Sequence, residues 1–320
     1  MRAHPPAWYD EQYNNRARIA DYTAILQHWA DASALARTQL GGSLDVPYGT
    51  EPSERLDIFP TRQPGAPVLG DNHPGAPVLG NNHPGAPVLV HIHGGYWRML
   101  DKRDQSFIAP PFVDAGALVV VPNYALCPAA SIEQIALQMV RALAWVHHHI
   151  AAYGGDPSRI VVSGHSAGGH LAAMLLACDW KSVAPDLPAG LLRGALAVSG
   201  VFDLEPLRHA PFLASDLKLT RASARRLSPA WMPAPRGPLV SLVGGDESPE
   251  FLRQNQLIAR AWGPQTVRAC EAVPGKNHMN VLNELAEPAS RVHRWGLDLL
   301  GLQPLALPLT PSPLPEGARE

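Results

Sequence analysis

Cysteine and charge are both scarce in this chain. Its 320 residues include three cysteines, Cys127, Cys178 and Cys270, which are odd in number and far apart in sequence. They supply neither a disulfide framework nor a C-x-x-C metal site, so we expect a protein of a reducing compartment, the cytoplasm. Charged residues make up 17% and the formal net charge is −2. Because no basic excess is available to neutralise phosphates, a nucleic-acid partner is not expected.

Long apolar stretches are missing as well. No run approaches the roughly 18 consecutive apolar residues that a membrane-spanning helix needs. Residues 1–10 contain Pro5, Pro6 and Asp10 and lack the apolar region of a secretory signal. We therefore expect neither a membrane partner nor export. Hydrophobic residues still amount to 46%, which is enough for a large core and excludes global disorder.

Proline, in contrast, is abundant and concentrated in two places. The chain has 33 prolines, and ten-residue copies of a P-G-A-P-V-L repeat begin at Pro64, Pro74 and Pro84. Only the third copy continues into an apolar run, which predicts a strand. The first two copies predict a looped surface insertion over residues 64–83. The proline-rich end, residues 303–320, has no apolar periodicity and predicts a disordered tail.

Between these segments, helical and strand patterns alternate. Helical periodicity covers about residues 8–40, and an S-I-E-Q capping box at Ser131 begins a helix that ends near Tyr153. The predicted strands are 55–59, 88–92, 117–121, 160–163, 195–198, 239–243 and 267–273. The later predicted helices are 167–178, 249–262 and 281–300. This alternation is typical of an α/β fold with a doubly wound, mostly parallel sheet and helices on both faces, here one domain over residues 1–302.

The motif G-H-S-A-G, at Gly164 to Gly168, lies between a predicted strand and a predicted helix. A sharp strand–turn–helix of this kind needs small residues around the central serine and lifts its hydroxyl above the sheet. The pattern predicts the nucleophile elbow of an α/β-hydrolase, with Ser166 as the nucleophile.

A second glycine motif, H-G-G-Y-W, directly follows the strand 88–92. In hydrolases of this fold, backbone N–H groups of such a loop and of the residue after the nucleophile stabilise the oxyanion. The candidate oxyanion residues are Gly94, Gly95, Tyr96 and Ala167. The candidate pocket residues are His93, Trp97 and His165. For Trp97, simple core packing is an equally good interpretation.

The candidate base and acid follow two later strands. His278 comes after strand 267–273 and a Pro-Gly turn, and it precedes a helix. The segment after strand 239–243 offers Asp246 and Glu247 side by side. Counting G-x-x-acid from Gly244 favours Glu247, while aspartate is the commoner residue in this role, so Asp246 stays an alternative. The order Ser166, acid, His278 is that of α/β-hydrolases.

No metal or organic cofactor is expected. The consecutive histidines 147–149 lie within a predicted helix and therefore point in different directions, which is typical of a solvated surface. His91 and His93 share one strand face, and no further zinc ligands with suitable spacing are evident. We expect a small-molecule substrate as the partner and leave a homodimer open.

Several motifs together resemble kynurenine formamidases, also called arylformamidases. They are H-G-G-Y-W, G-H-S-A-G-G-H-L, S-G-V-F-D-L from Ser199, L-S-P from Leu227, E-S-P-E-F-L-R-Q from Glu247, Y-N-N-R from Tyr13 and L-D-V-P-Y-G from Leu44. The resemblance spans about residues 8–300 apart from the repeat. It implies hydrolysis of N-formyl-kynurenine to kynurenine and formate in tryptophan degradation. It also implies that the residue before S-P-E-F, Glu247, is the acid, although aspartate is common there in the family.

Two other hypotheses stay open. Neighbouring families with these motifs are carboxylesterases, so a short-acyl carboxylesterase is the alternative function. A non-catalytic binding protein on the hydrolase fold is the third hypothesis, but such scaffolds usually lose the nucleophile or the histidine, and both residue types are present here.

Overall fold

The computed structural model of the chain describes residues 4–62 and 85–303. The predicted insertion at 64–83 lies outside these ranges, and so does the predicted tail from residue 304 onward. Among the helices in the described ranges, none has the length and apolar character needed to cross a bilayer.

The centre of the fold is an eight-stranded sheet with the order β1-β2-β4-β3-β5-β6-β7-β8. The strands are β1 (Ser43–Pro47), β2 (Arg55–Phe59), β3 (Ala86–Ile92), β4 (Leu118–Pro122), β5 (Gly155–His165), β6 (Leu192–Val198), β7 (Leu239–Gly244) and β8 (Val267–Val273). Strand β2 runs antiparallel to β1 and β4, whereas the other neighbours are parallel. The predicted doubly wound, mostly parallel sheet is confirmed. Only β1, a short edge strand that is partly exposed, was not predicted.

Helices cover both faces of this sheet. They are α1 (Pro6–Tyr13), α2 (Asn15–Arg18), α3 (Tyr22–Leu40), α4 (Ala109–Asp114), α5 (Ile132–His149), α6 (Ala167–Leu176), α7 (Trp180–Val183), α8 (Pro211–Leu217), α9 (Arg221–Arg226), α10 (Pro249–Thr266) and α11 (Arg291–Leu300). Because strand side chains alternate, Val88 and Val90 of β3 face the cluster that includes α5, α6 and α10, while Leu89 faces α3, α4 and α11. Burial on both faces explains why the parallel strands read as continuous apolar runs.

The predicted helix at 8–40 is broken into α1, α2 and α3. Asn14 interrupts it, because its side chain accepts a hydrogen bond from the N–H of Ala17 and begins α2. Ile19 then has extended backbone before α3 begins. We call residues 6–40 the N-terminal strap. Because the helix is broken, α2 lies across the carboxyl end of the sheet and is not part of one continuous helix.

The predicted helix at 281–300 is also wrong in its first half. A short 3₁₀ turn, Leu282–Leu285, is separated from α11, whose N-cap is Ser290. Pro288 lies in the gap and disfavours helical backbone at the residue before it, so a continuous helix is not possible there. The helix predicted at 249–262 corresponds to the part of α10 before a kink, where Gly263 adopts φ +72° ahead of Pro264.

We predict that deleting residues 64–83 leaves a folded protein. Phe59 pairs with Val119 and Val88 pairs with Leu118, so β2 ends and β3 begins on either side of the start of β4. That gap is about 10 Å, two strand spacings, which the remaining residues span easily. Each doubling of loop length changes the closure free energy by only about 0.6 kcal/mol.

Thermal unfolding monitored by circular dichroism checks this prediction. Deletion of one copy, 64–73, is the matched control and should unfold like the parent. Loss of cooperative unfolding in the 64–83 deletion alone would show that the repeat contributes to the sheet.

Candidate active site

The candidate residues meet at one edge of the sheet. Strands β3, β5, β6, β7 and β8 are parallel, so their carboxyl ends lie together, where α/β sheets bind ligands. The loops that leave these ends carry H-G-G-Y-W, Ser166, Ser199, Glu247 and His278.

Ser166 occupies a sharp turn between β5 and α6. Its backbone has φ +56° and ψ −114°, an uncommon conformation for a residue with a side chain. A Cβ atom at Gly164 would lie 2.2 Å from the Gly168 carbonyl oxygen, and one at Gly168 would lie 2.0 Å from the Ile92 carbonyl oxygen. Both glycines are therefore required by close backbone packing, as the sequence motif predicted for an elbow.

Ser166, His278 and Glu247 form a continuous hydrogen-bonded chain. The Ser166 Oγ lies 3.1 Å from Nε2 of His278, and Nδ1 of that ring lies 2.6 Å from Oε2 of Glu247. All three residues are buried. When Nδ1 donates its proton to the carboxylate, Nε2 presents a lone pair to the serine hydroxyl. The arrangement can accept the serine proton and stabilise the resulting imidazolium.

The Glu247 carboxylate is fixed by two more donors. Its Oε1 accepts hydrogen bonds from Ser199 Oγ at 2.5 Å and from the Gly244 N–H at 2.7 Å. Asp246 is exposed instead, and its backbone N–H donates to the Lys276 carbonyl. Of the two candidate acids, Glu247 is thus the one whose carboxylate is hydrogen-bonded to His278.

Ser199 was not singled out from the sequence. It lies directly after β6 and adopts φ +53°, which turns its hydroxyl toward Glu247. One sequence feature could have identified it. Ser199 is the first residue of S-G-V-F-D-L and follows a predicted strand that lies between the Ser166 and Glu247 segments.

The loop after β3 has an unusual backbone. Gly95, Tyr96 and Trp97 all have positive φ, at +99°, +51° and +56°. Gly95 and Tyr96 line the cavity above Ser166. The N–H of Ala167, the first residue of α6, has no acceptor within the helix, so it can bind an oxyanion together with this loop.

Gly94, another of the candidate oxyanion residues, packs closely against the elbow. It is not among the described residues that line the cavity. A Cβ there would lie 2.8 Å from the His165 carbonyl oxygen and 3.2 Å from the Ser166 Cβ. Gly94 therefore permits close approach of the loop to the elbow.

Two predicted pocket residues, His93 and Trp97, do not reach the cavity. Both are fully buried. The His93 ring stacks on Tyr124 at 4.0 Å and its Nε2 lies 3.1 Å from Oδ1 of Asn123, and burial lowers its pKa. The Trp97 ring packs edge-on against His170. The burial of Trp97 and its contact with His170 are what the core-packing interpretation expects.

The third predicted pocket residue, His165, does line the cavity. Its Nε2 lies 2.7 Å from the His278 carbonyl oxygen, so it also fixes the backbone of that residue. Burial, and then the nearby His278, lowers the pKa of His165 well below its usual value, so the ring is neutral at neutral pH.

The cavity has a volume of about 460 Å³. Ser166 and His278 line it, and four aromatic side chains, two arginines and several smaller residues complete the lining. The aromatic residues are Tyr22, Trp29, Tyr96 and Phe212, and the arginines are Arg16 and Arg98. Within residues 4–62 and 85–303, no three histidine, cysteine, aspartate or glutamate side chains are grouped to hold a metal ion.

Comparison with known proteins supports a hydrolase. The family model BD-FAE matches residues 79–182. The kynurenine formamidase of Salmo salar is 28% identical, over 93% of this chain and 94% of its own length. A crystal structure of a proposed thioesterase from a Silicibacter species superposes with a TM-score of 0.73 at 29% identity, covering 88% of this chain and 96% of that protein.

The esterase LipQ of Mycobacterium tuberculosis is 34% identical over half of this chain and 35% of its own length. The chain is thus an enzyme of the α/β-hydrolase fold, a hydrolase whose sequence is similar to kynurenine formamidases over most of its length.

Proposed function

We propose that the chain is a serine hydrolase that converts N-formyl-kynurenine to kynurenine and formate. The observation that carries this proposal is the hydrogen-bonded chain from Ser166 through His278 to Glu247 at the base of a cavity with aromatic walls. The similarity to a curated kynurenine formamidase along 93% of the chain supports the substrate. The substrate is a small molecule, and three free cysteines fit a cytoplasmic enzyme.

The proposed mechanism follows from the geometry. His278 Nε2 takes the Ser166 proton while Oγ attacks the formyl carbon. The N–H groups of Gly95, Tyr96 and Ala167 stabilise the negative oxygen of the tetrahedral intermediate. The imidazolium then protonates the departing aryl nitrogen, and a water molecule, activated by the same ring, releases formate from Ser166.

A short-acyl carboxylesterase is the second candidate. The same nucleophile, base and oxyanion donors cleave esters without any further residue, and the similarity to LipQ favours this activity. A binding protein without activity is disfavoured, because the nucleophile, base and acid all lie at hydrogen-bond distance.

The substrate assignment predicts the outcome of one comparison. We expect kcat/KM for N-formyl-kynurenine to exceed that for p-nitrophenyl acetate, because the aromatic walls accommodate an aryl leaving group. The two constants are measured on the same enzyme preparation. A tenfold or greater preference for the ester would replace the formamidase proposal with the esterase alternative.

We predict that Ser166→Ala lowers kcat by at least about 10³-fold, as loss of a serine nucleophile does. The fold should be unchanged, since only one hydroxyl is removed. Ser182→Ala, at an exposed serine of α7, is the matched control and should behave as wild type. Steady-state rates with a circular dichroism spectrum check both variants. Wild-type turnover by Ser166→Ala would refute the proposed mechanism.

We predict that Glu247→Gln lowers kcat by at least about 10²-fold, less than the ~10⁴ given for the analogous change in a serine protease. Ser199 and Gly244 both donate to the Oε1 position, so the glutamine oxygen belongs there. Its NH₂ group then faces Nδ1 of His278 and selects the tautomer in which Nε2 cannot accept a proton.

Asp246→Asn is the control for this variant. It removes the same charge one residue away, on an exposed side chain, and should change kcat by less than about twofold. Both variants are assayed side by side for kcat. The reverse ranking would assign the acid to Asp246, and two mild effects would mean that neither residue supports the histidine.

A further inference from the structure

The charge on the cavity wall is one-sided. No aspartate or glutamate is among the described residues that line it, whereas Arg16 and Arg98 both do. Arg98 is neutralised, because its Nη1 lies 2.5 Å from Oδ2 of Asp216. Arg16 has no salt bridge among the described residues: its Nη2 contacts Sδ of Met99 at 2.8 Å, and its guanidinium lies over the Tyr22 ring at 5.6 Å. The cavity therefore offers an unneutralised cation to its ligand.

Asn15, the residue before Arg16, also lines this cavity, and it lines a second cavity beside Glu247 and His278. Its exposed fraction is 6%. In the described part of the chain, its buried Nδ2 has no hydrogen-bond acceptor. A buried donor without an acceptor is unfavourable, so a ligand oxygen at this place would relieve that cost.

The chain just before Asn15 and Arg16 is held in place by hydrogen bonds of Tyr13. The Tyr13 hydroxyl donates to Oε2 of Glu250 at 2.7 Å and accepts from Nε2 of Gln254 at 3.1 Å. The Tyr96 hydroxyl donates to the Tyr13 carbonyl at 2.6 Å. The strap is thus fixed to α10 and to the H-G-G-Y-W loop immediately before Asn15 and Arg16.

We propose that Arg16 and Asn15 bind the carboxylate of an anionic aromatic substrate and make the enzyme selective for it. This inference rests on the proposed function. Ser166 and Arg16 line the same cavity as the aromatic residues, with Ser166 buried and Arg16 exposed. A substrate with its formyl group at Ser166 and its ring between these walls directs its amino-acid end toward Arg16. A guanidinium binds a carboxylate through parallel N–H donors, and the Asn15 amide supplies one more.

The test compares two formamides that differ only at that end. They are N-formyl-kynurenine and the N-formyl derivative of ortho-aminoacetophenone, which keeps the aryl ketone and lacks the amino acid. In Arg16→Gln we expect KM for N-formyl-kynurenine to rise at least about tenfold with kcat little changed, since a charge-assisted bidentate contact is lost. The neutral formamide should change less than twofold.

Matched variants separate this contact from general charge effects. Arg18→Gln removes the same charge from the same short helix, and its residue is not among those lining this cavity, so KM should stay at the wild-type value. Arg16→Lys keeps the charge but lacks the parallel N–H donors of a guanidinium. Its KM for N-formyl-kynurenine should therefore lie between those of wild type and Arg16→Gln. Equal effects of Arg16→Gln on both formamides, or none on either, would overturn the inference while the proposed function stands.

Inhibition by product analogues makes the inference testable even if the proposed function fails. If wild type hydrolyses neither formamide, the formamidase proposal is wrong, and inhibition of p-nitrophenyl acetate hydrolysis is measured instead. We expect Arg16→Gln to weaken inhibition by kynurenine at least about tenfold, because the same contact is lost. Inhibition by ortho-aminoacetophenone should not change. Kynurenine lacking its α-amino group should show the same dependence on Arg16. Loss of that dependence, or no inhibition of wild type by kynurenine, would refute carboxylate binding.

Discussion

The geometry of the site depends on one close backbone contact, between the elbow after β5 and the end of β3. Gly168 packs so tightly against the Ile92 carbonyl oxygen that a Cβ atom would lie 2.0 Å from it. Ile92 leads directly into the H-G-G-Y-W loop, and Gly168 belongs to the turn that carries Ser166. The contact therefore fixes the distance between Ser166 and the backbone N–H groups of that loop. The positive φ of Ser166 is a strained conformation that such tight surroundings can maintain.

The buried Glu247 carboxylate is held by several hydrogen-bond donors. A buried carboxylate is costly unless its oxygens are hydrogen-bonded. Glu247 satisfies that condition through Ser199, Gly244 and His278. This donor set also explains how glutamate, one methylene longer than aspartate, serves in this loop. Its Oε1 accepts hydrogen bonds from Ser199 and Gly244, and its Oε2 is left for His278.

Local sequence patterns predict the parts of this enzyme that local backbone geometry determines. The strands other than β1, the glycines around Ser166 and the position of His278 after β8 all follow from apolar runs and turn residues. The choice between Asp246 and Glu247 does not, because two adjacent side chains differ only in where the folded loop directs them. The burial of His93 and Trp97 away from the cavity does not follow from local patterns either. Both follow a strand end as pocket residues do, but Tyr124 and His170, which are distant in sequence, bury them.

The cavity wall is the least predictable part, because it joins segments from the two ends of the chain. Asn15 and Arg16 line the same cavity as Ser166 because the predicted long helix breaks at Asn14 and because Tyr13 is hydrogen-bonded to Glu250, 237 residues away. The parallel strand ends supply the reacting groups, and their backbone packing leaves little freedom for change. The N-terminal strap approaches from outside the sheet and contributes side chains without carrying the nucleophile, base or acid. A substitution at Arg16 can therefore alter which ligand binds while the hydrogen-bonded chain from Ser166 to Glu247 keeps its geometry.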